Sequence, residues 1–222
     1  MMKANQVMIE IETLSSASNA AIVSIGACMF DMTKGADYAD PEDSFLVGID
    51  PEYYTAENTS SVDFDISART VKWWSQQSDA AKASLKINQM TDLKQALEHL
   101  GVWLFNKGFE KDNTPYEKGA ARVWAMPSQF DLVILRNAAK HVYGSTNDVP
   151  WHYRQETDAR TYMWTFGDLE ALAQQGRKSN GVLSGLIKHR ADHDAVRQAR
   201  IIQYITNLRN DNGQADPKKQ AA

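Results

Sequence analysis

The stretch Val7-Met8-Ile9-Glu10-Ile11-Glu12-Thr13-Leu14 decides how the rest of the chain is read. Apolar side chains alternate with others, and the run ends in two acids at i and i+2. In an extended strand the side-chain period of two puts both carboxylates on one face. An acid in such a run must meet solvent, a partner or a metal, because burying a bare carboxylate is prohibitive. From spacing alone, a solvated face of an edge strand and a pair of ligands are both open readings.

Working outward, Ser15, Ser16, Ser18 and Asn19 mark a turn. The Val- and Ile-rich run Ala20 to Phe30 reads as a second strand, residues 31–44 with Gly35 and Pro41 as a hairpin loop, and Ser44 to Ile49 as a third strand. Three early strands with such connections predict an antiparallel meander. A long polar loop covers Asp50 to Ser67, and Ala68 to Leu85 is compatible with a helix carrying Val71, Trp74 and Ala81 on one face. Leu93, Ala96, Leu97, Leu100 and Leu104 recur at helical spacing, with Thr91 as the expected N-cap. Arg122 to Met126 reads as a short strand. Phe130 to Ala138 reads as strand, turn, helix; Trp151 to Thr157 as a strand; Ala159 to Ala173 as a helix. Ala191 to Leu208 forms the last helix, with Ala195, Ala199, Ile202 and Ile205 along one side. The order predicts an α/β fold: a mixed sheet with helices packed against it. A single domain is expected over residues 1–209, with Asn210 to Ala222 a disordered tail, since that tail holds no aliphatic side chain larger than alanine.

Composition narrows the function classes. The 222 residues are 43% hydrophobic and 23% charged, ordinary for a globular protein. The run from Ala20 to Phe30 is far short of the ~20 residues a membrane helix needs. The opening residues lack the basic-then-apolar layout of a secretory signal. One cysteine, Cys28, excludes an intramolecular disulfide, so a reducing cytoplasm is the expected setting. A net charge of −4 argues against a non-specific nucleic-acid coat protein, which needs a basic face. It does not argue against an enzyme acting on nucleic acid, because metals held by carboxylates invert the local charge.

Besides Glu10 and Glu12, three groups draw attention. Asp131 opens an apolar run and reads equally as a helix N-cap or a ligand. His189 and Asp194 lie five apart in His189-Arg190-Ala191-Asp192-His193-Asp194, which also reads as a polar loop capping the last helix. His189 and His193, four apart, raise a transition-metal site with no obvious third ligand nearby.

Taken together and in order, these segments resemble the DEDDh 3′→5′ exonucleases of the ribonuclease H-like superfamily, in particular the phage-type branch that includes exonuclease A and the amino-terminal region of exonuclease VIII. The first motif corresponds to Ile9-Glu10-Ile11-Glu12-Thr13-Leu14, continued by Asn19 to Ala27; the second to Phe130-Asp131-Leu132-Val133-Ile134-Leu135-Arg136; the third to His189 through Asp194, followed by Ala195-Val196-Arg197-Gln198-Ala199. Thr70 to Ser78 and Pro150 to Thr161 also look like this branch. The third motif selects His189 over His193, because His193 would place Gln198 where the family has an anionic ligand.

The resemblance implies a mixed five-stranded ribonuclease H-like sheet flanked by helices. It also implies two divalent cations, Mg²⁺ or Mn²⁺, held by Glu10, Glu12, Asp131 and Asp194, with Glu12 and His189 as catalytic residues and His189 the general base. Thr13, Leu14 and Phe130 would meet the substrate, a nucleic acid with a free 3′ end: single-stranded DNA by the branch, RNA as the alternative. The setting would be the cytoplasm of a bacterial or phage-infected cell. Trp73 and Trp74 are expected as core anchors rather than base platforms, with one of each as the alternative, and Asp158 with Arg160 to be structural.

The chain departs from the family at three places. Glu10 stands where the first motif has aspartate, one methylene longer, or about 1.5 Å. Such a shift raises the alternative of a weakened, nucleic-acid-binding protein. Ala125-Met126-Pro127 replaces a Gly-Asn-Gly segment, and Asp192-His193 replaces Leu-Asp, which is expected to bring an extra acid and imidazole near the cations.

Overall fold

Alternation along the first strand builds a sheet with two different faces. The computed structural model describes residues 6–32, 39–55, 64–90, 92–112, 120–165 and 185–213, with side chains of the last helix described to residue 208. The strands are β1 (Gln6–Thr13), β2 (Ile22–Phe30), β3 (Phe45–Ile49), β4 (Gln89–Met90), β5 (Arg122–Ala125) and β6 (Glu156–Asp158). Their order across the sheet is β4-β3-β2-β1-β5-β6. The meander β1-β2-β3 is antiparallel, whereas β5 runs parallel to β1, and β6 parallel to β5. The mixed α/β sheet is as expected, but it has six strands rather than five. The additional strand, β4, pairs only Gln89 and Met90 with the end of β3, too short for any periodic signal in the sequence.

The helices are α1 (Ala68–Ser75), α2 (Asp79–Ser84), α3 (Leu93–Asn106), α4 (Ser128–Tyr143), α5 (Ala159–Trp164) and α6 (Ala191–Gly213). Odd-numbered residues of β1 (Val7, Ile9, Ile11) pack into one core with Leu93, Ala96, Leu97 and Leu100 of α3 and Leu132, Leu135 and Ala139 of α4. The even-numbered Met8 faces the opposite core with Trp124, Ala195, Ala199 and Ile202, so α6 covers that face. Glu10 and Glu12 continue the same even-numbered row.

Four local expectations are corrected. The helix at Leu93 is capped by Asp92, whose side chain accepts from the Gln95 amide, while Thr91 lies outside the described residues. Phe130 to Ala138 is not strand, turn, helix: it belongs wholly to α4, because its buried residues Asp131, Leu132, Ile134, Leu135 and Ala138 follow a three-and-four spacing. Trp151 to Thr157 is strand only at its end: a 3₁₀ turn at Tyr153–Gln155 precedes the three-residue β6, which begins at Glu156. Residues 166–184, which include much of the helix expected to reach Ala173, lie outside the described residues. Finally, α6 runs on to Gly213 instead of ending at Leu208.

The approach of α6 to the sheet is set by one residue. A Cβ built on Gly26 of β2 would lie 2.1 Å from the carbonyl carbon of Ala191 and 2.2 Å from the amide nitrogen of Asp192. Both atoms are backbone and cannot swing aside. Gly26→Ala is therefore expected to destabilise the protein by roughly 3 kcal/mol. Gly101→Ala, within α3 and with nothing within 4 Å of its added methyl, should stabilise by ~0.5–1 kcal/mol. Urea unfolding of both variants checks the contrast.

Candidate active site

Glu10 lies opposite Gly26 and Glu12 opposite Ser24 in the β1–β2 ladder, so both acids sit beside the point where α6 touches the sheet. A register irregularity follows between Glu12 and Thr13. On the other side, β5 pairs with β1 only as far as Met8 opposite Trp124. Beyond that point the edge of β1 is open, and the Ile11 amide donates to Asp131 Oδ1 at 3.0 Å. Asp131, in the first turn of α4, is 1% exposed. It is thus neither a strand residue nor the N-cap, a position held by Pro127. Asp158 holds the same region together: its carboxylate accepts from Ser128 N at 2.7 Å and from Thr161 N at 2.6 Å, at the starts of α4 and α5. Its role is structural through these helix caps, and the hydrogen bonds hold its pKa below the ordinary value despite partial burial.

The start of α6 carries the third motif. Asp194 Oδ2 accepts the backbone amide of His189 at 2.7 Å. This bond spans a tight turn in which His189 takes φ 61°, a left-handed conformation uncommon outside glycine. The imidazole is brought within reach of the acids: one ligand atom from each of Glu12, His189 and Asp194 lies within 4.8 Å of the others. Trp73, 39% exposed, sets its ring edge-on to the imidazole at 4.8 Å. Trp74 is buried and donates its indole N–H to the Thr13 carbonyl at 3.0 Å. The two tryptophans therefore divide as anchor and exposed surface.

The other expected residues are placed around this centre. Thr13 is buried, with its hydroxyl donating to the Ser15 carbonyl at 2.6 Å. Leu14 and Phe130 are half-buried against the core. Asp192 and His193 do not join the acids. Asp192 forms a two-pronged ion pair with Arg190, at 2.8 and 2.9 Å, and accepts from Ser44 at 3.3 Å. His193 accepts the Ile187 amide on Nδ1 at 2.8 Å. Both side chains are thus engaged by other partners, and neither is among the ligand atoms gathered at Glu12, His189 and Asp194.

Two contacts were not read from the sequence. Arg197 Nη1 lies 2.8 Å from Asp194 Oδ1, and Gln198 Nε2 donates to Glu10 Oε2 at 2.7 Å. The i+3 spacing from Asp194 was the available signal for Arg197, whereas for Gln198 the i+4 spacing gave only a shared helix face and nothing that names Glu10.

Electrostatically the site is under tension. Burial, then the nearby Asp131 and Glu12 charges, push the Glu10 carboxyl well above the usual range, against the Gln198 hydrogen bond. Burial, followed by Asp194 and Asp131, raises Glu12 to about 8. Burial raises Asp131 to about 7 despite the Ile11 amide. Asp194 is also raised by burial, although Arg197 and the His189 amide oppose the shift. His189 is lowered, by burial and then by Lys188. Asp194 Oδ1 is buried and accepts no directed hydrogen bond, the Arg197 contact being an ion pair only. Four crowded carboxylates form a donor set of the hard-oxygen type that divalent cations take. The residues present fit such ions.

A profile of the Rv2179c-like 3′-5′ exoribonuclease domain matches residues 5–206. No curated protein matches the chain. Among solved structures, cell-death related nuclease 4 (CRN-4) is similar at TM-score 0.55 and 15% identity, over 93% of this chain and 64% of that one. The chain therefore spans less than two thirds of that nuclease. The nuclease domain of 3′hExo, a DEDDh family member bound to rAMP, is similar at TM-score 0.54 and 13% identity, over 96% and 94% of the two chains. The RNase domain of the yeast Pop2 protein reaches TM-score 0.50 at 13% identity, over 97% and 80%. At these identities the structural likeness establishes the ribonuclease H-like nuclease fold.

The raised carboxyls make the metal-free protein sensitive to pH. They bind protons more tightly folded than unfolded, where aspartate and glutamate titrate near ~4. Stability in chelator should therefore fall as pH rises from about 5 through about 8, as Asp131 and then Glu12 ionise. The lowered His189 and His193 oppose this trend only below ~6.5. Mn²⁺ should remove most of the loss, and Asp131→Asn should shallow the slope. Thermal melts across this range test each point; a melting temperature that rises from pH 7 to 8 in chelator contradicts the account. By the profile match, which spans nearly the whole described chain, the protein belongs to the Rv2179c-like 3′-5′ exoribonuclease domain family, a family of 3′→5′ exonucleases.

Proposed function

We propose that the protein removes mononucleotides from the 3′ end of RNA, using two divalent cations, Mg²⁺ or Mn²⁺, held by Glu10, Glu12, Asp131 and Asp194. The observation that carries this reading is the convergence of those acids, from β1, α4 and α6, on one pocket beside His189. Bound there, divalent cations would supply the positive charge that a phosphodiester displacement needs, with these four carboxylates as their holders.

The chain's own residues supply the rest. His189 is neutral near pH 7 because its pKa is lowered, so a ring nitrogen is free to accept the proton of the attacking water. The strained turn and the Trp73 edge hold that ring close to Glu12 and Asp194. Leu14 and Phe130, half-buried on the rim, offer flat apolar surface to a terminal base. The net charge of −4 fits contact confined to the strand end rather than a long basic groove.

RNA is favoured over DNA by the description of the family that the chain belongs to. The phage-type motifs favour single-stranded DNA, which makes it the comparison substrate. With 3′- and 5′-labelled single strands of each, shortening should begin at the 3′ end, run faster on RNA, and stop in chelator. Asp194→Ala should abolish it. His189→Ala should lower the rate ~10²–10⁴-fold while Mn²⁺ binding persists. Faster loss of DNA would reassign the substrate, and a 5′-to-3′ ladder or metal-independent cleavage would overturn the proposal.

A further inference from the structure

Phe130, half-buried at the rim of the site, opens a row along α4. Ile134, Asn137 and His141 follow it at spacings of four, three and four, which keeps them on one helix face. The row leads away from the acids: from Phe130 to Asn137 the helix advances about 10 Å. Beside it lies a cavity of about 380 Å³, lined by Asn19, Phe64, Ile134, Asn137, Lys140 and His141. Asn19 ends the turn that follows Leu14, so both sides of the cavity lead back to residues of the rim.

The walls are fixed in place by hydrogen bonds. Asn137 donates one side-chain N–H to the Ser18 carbonyl at 2.7 Å. The Asp65 amide donates to the Asn19 carbonyl at 2.9 Å, and the Ala21 amide to the Asp65 carbonyl at 3.0 Å. Phe64 and His141 meet edge to face at 4.7 Å. Polar capacity is left over. Among the described residues the Lys140 ammonium forms no ion pair and the Asn19 side chain no hydrogen bond, while Asn137 keeps a second N–H and its amide oxygen. A basic residue in the last turn of a helix also serves the helix dipole, which accounts for Lys140 and His141 but not for the two amides or the ring of Phe64. One cation, two amides and an aromatic wall match the parts of a nucleotide: its phosphate, its polar edges and the face of its base.

We propose that this cavity holds a nucleotide of the substrate strand upstream of the one being removed, with Lys140 against its phosphate and Asn19 and Asn137 on its polar edges. The terminal base stays with Leu14 and Phe130, and the row along α4 carries the strand from one position to the other. Contact is thereby extended by a single nucleotide and a single cation, in keeping with a chain whose net charge is −4.

The inference rests on the nuclease reading, and its test separates the two. Initial rates in Mn²⁺ are measured on single-stranded RNA of two and of six nucleotides, with the full chain and with Lys140→Gln and Lys140→Arg. Fluorescence anisotropy follows binding of a labelled six-mer protected by a terminal phosphorothioate. Wild-type protein should show a lower KM for six nucleotides than for two. Lys140→Gln should raise the six-mer KM roughly fivefold with kcat little changed, bringing it toward the dinucleotide value. It should weaken six-mer binding by the same factor and reduce the slope of log affinity against log salt by about 0.7, the share of one phosphate contact. Lys140→Arg, which keeps the charge, should stay close to wild type. A loosened fold would instead lower kcat on both lengths. Equal KM for the two lengths in wild type, or a six-mer KM that Lys140→Gln leaves unmoved or Lys140→Arg raises as much, overturns the assignment while the nuclease reading stands. AMP binding that Lys140→Gln abolishes, with the six-mer KM unmoved, gives the cavity to a free nucleotide and also overturns it. Wild-type protein that shortens neither strand overturns both.

Discussion

The whole arrangement depends on a backbone-to-backbone contact. Gly26 lets the first turn of α6 rest directly on β2, with Ala191 and Asp192 where any other side chain would be. Only at that separation does the helix reach the acids that β1 sends out on the same face. A methyl group at residue 26 would lift Asp194, His189 and Gln198 from Glu12 and Glu10 together. The glycine that shapes the core therefore also sets the dimensions of the site.

What assembles there is electrostatically costly. Low-dielectric surroundings strengthen repulsion among carboxylates, and each one in this pocket is driven toward its protonated form. The fold distributes that cost over specific supports: the Ile11 amide on Asp131, the His189 amide and Arg197 on Asp194, and the Gln198 amide on Glu10. None of these supplies the double positive charge that would neutralise the group. Strained and perturbed groups of this kind gather at functional positions.

Much of this was legible in the sequence, and the reasons differ by element. Alternation in β1 placed Glu10 and Glu12 on one face, and the apolar runs of β2 and β3 were long enough to identify the meander. Motif order brought Asp131, His189 and Asp194 into the same account before any coordinates. The failures lie where local pattern carries little information. Phe130 to Leu135 is an apolar run broken only by Asp131 that suits a strand as well as a buried helix, and only burial against β1 and α3 settles it. β4 has two residues and exists because β3 offers an edge. Asp192 and His193 sit in the motif but turn to Arg190 and Ile187, since helical rotation separates neighbours that sequence places side by side. The Glu10–Gln198 contact joins residues 188 positions apart and needs the tertiary fold to exist.

The central claim is that these acids form one cation-binding pocket, and the most direct measurement is anomalous diffraction from crystals soaked in Mn²⁺. The account requires two peaks between Glu10, Glu12, Asp131 and Asp194, with the imidazole of His189 at their edge. A pocket without anomalous density, or ions bound elsewhere while these carboxylates remain paired with Arg197 and Gln198, would contradict it.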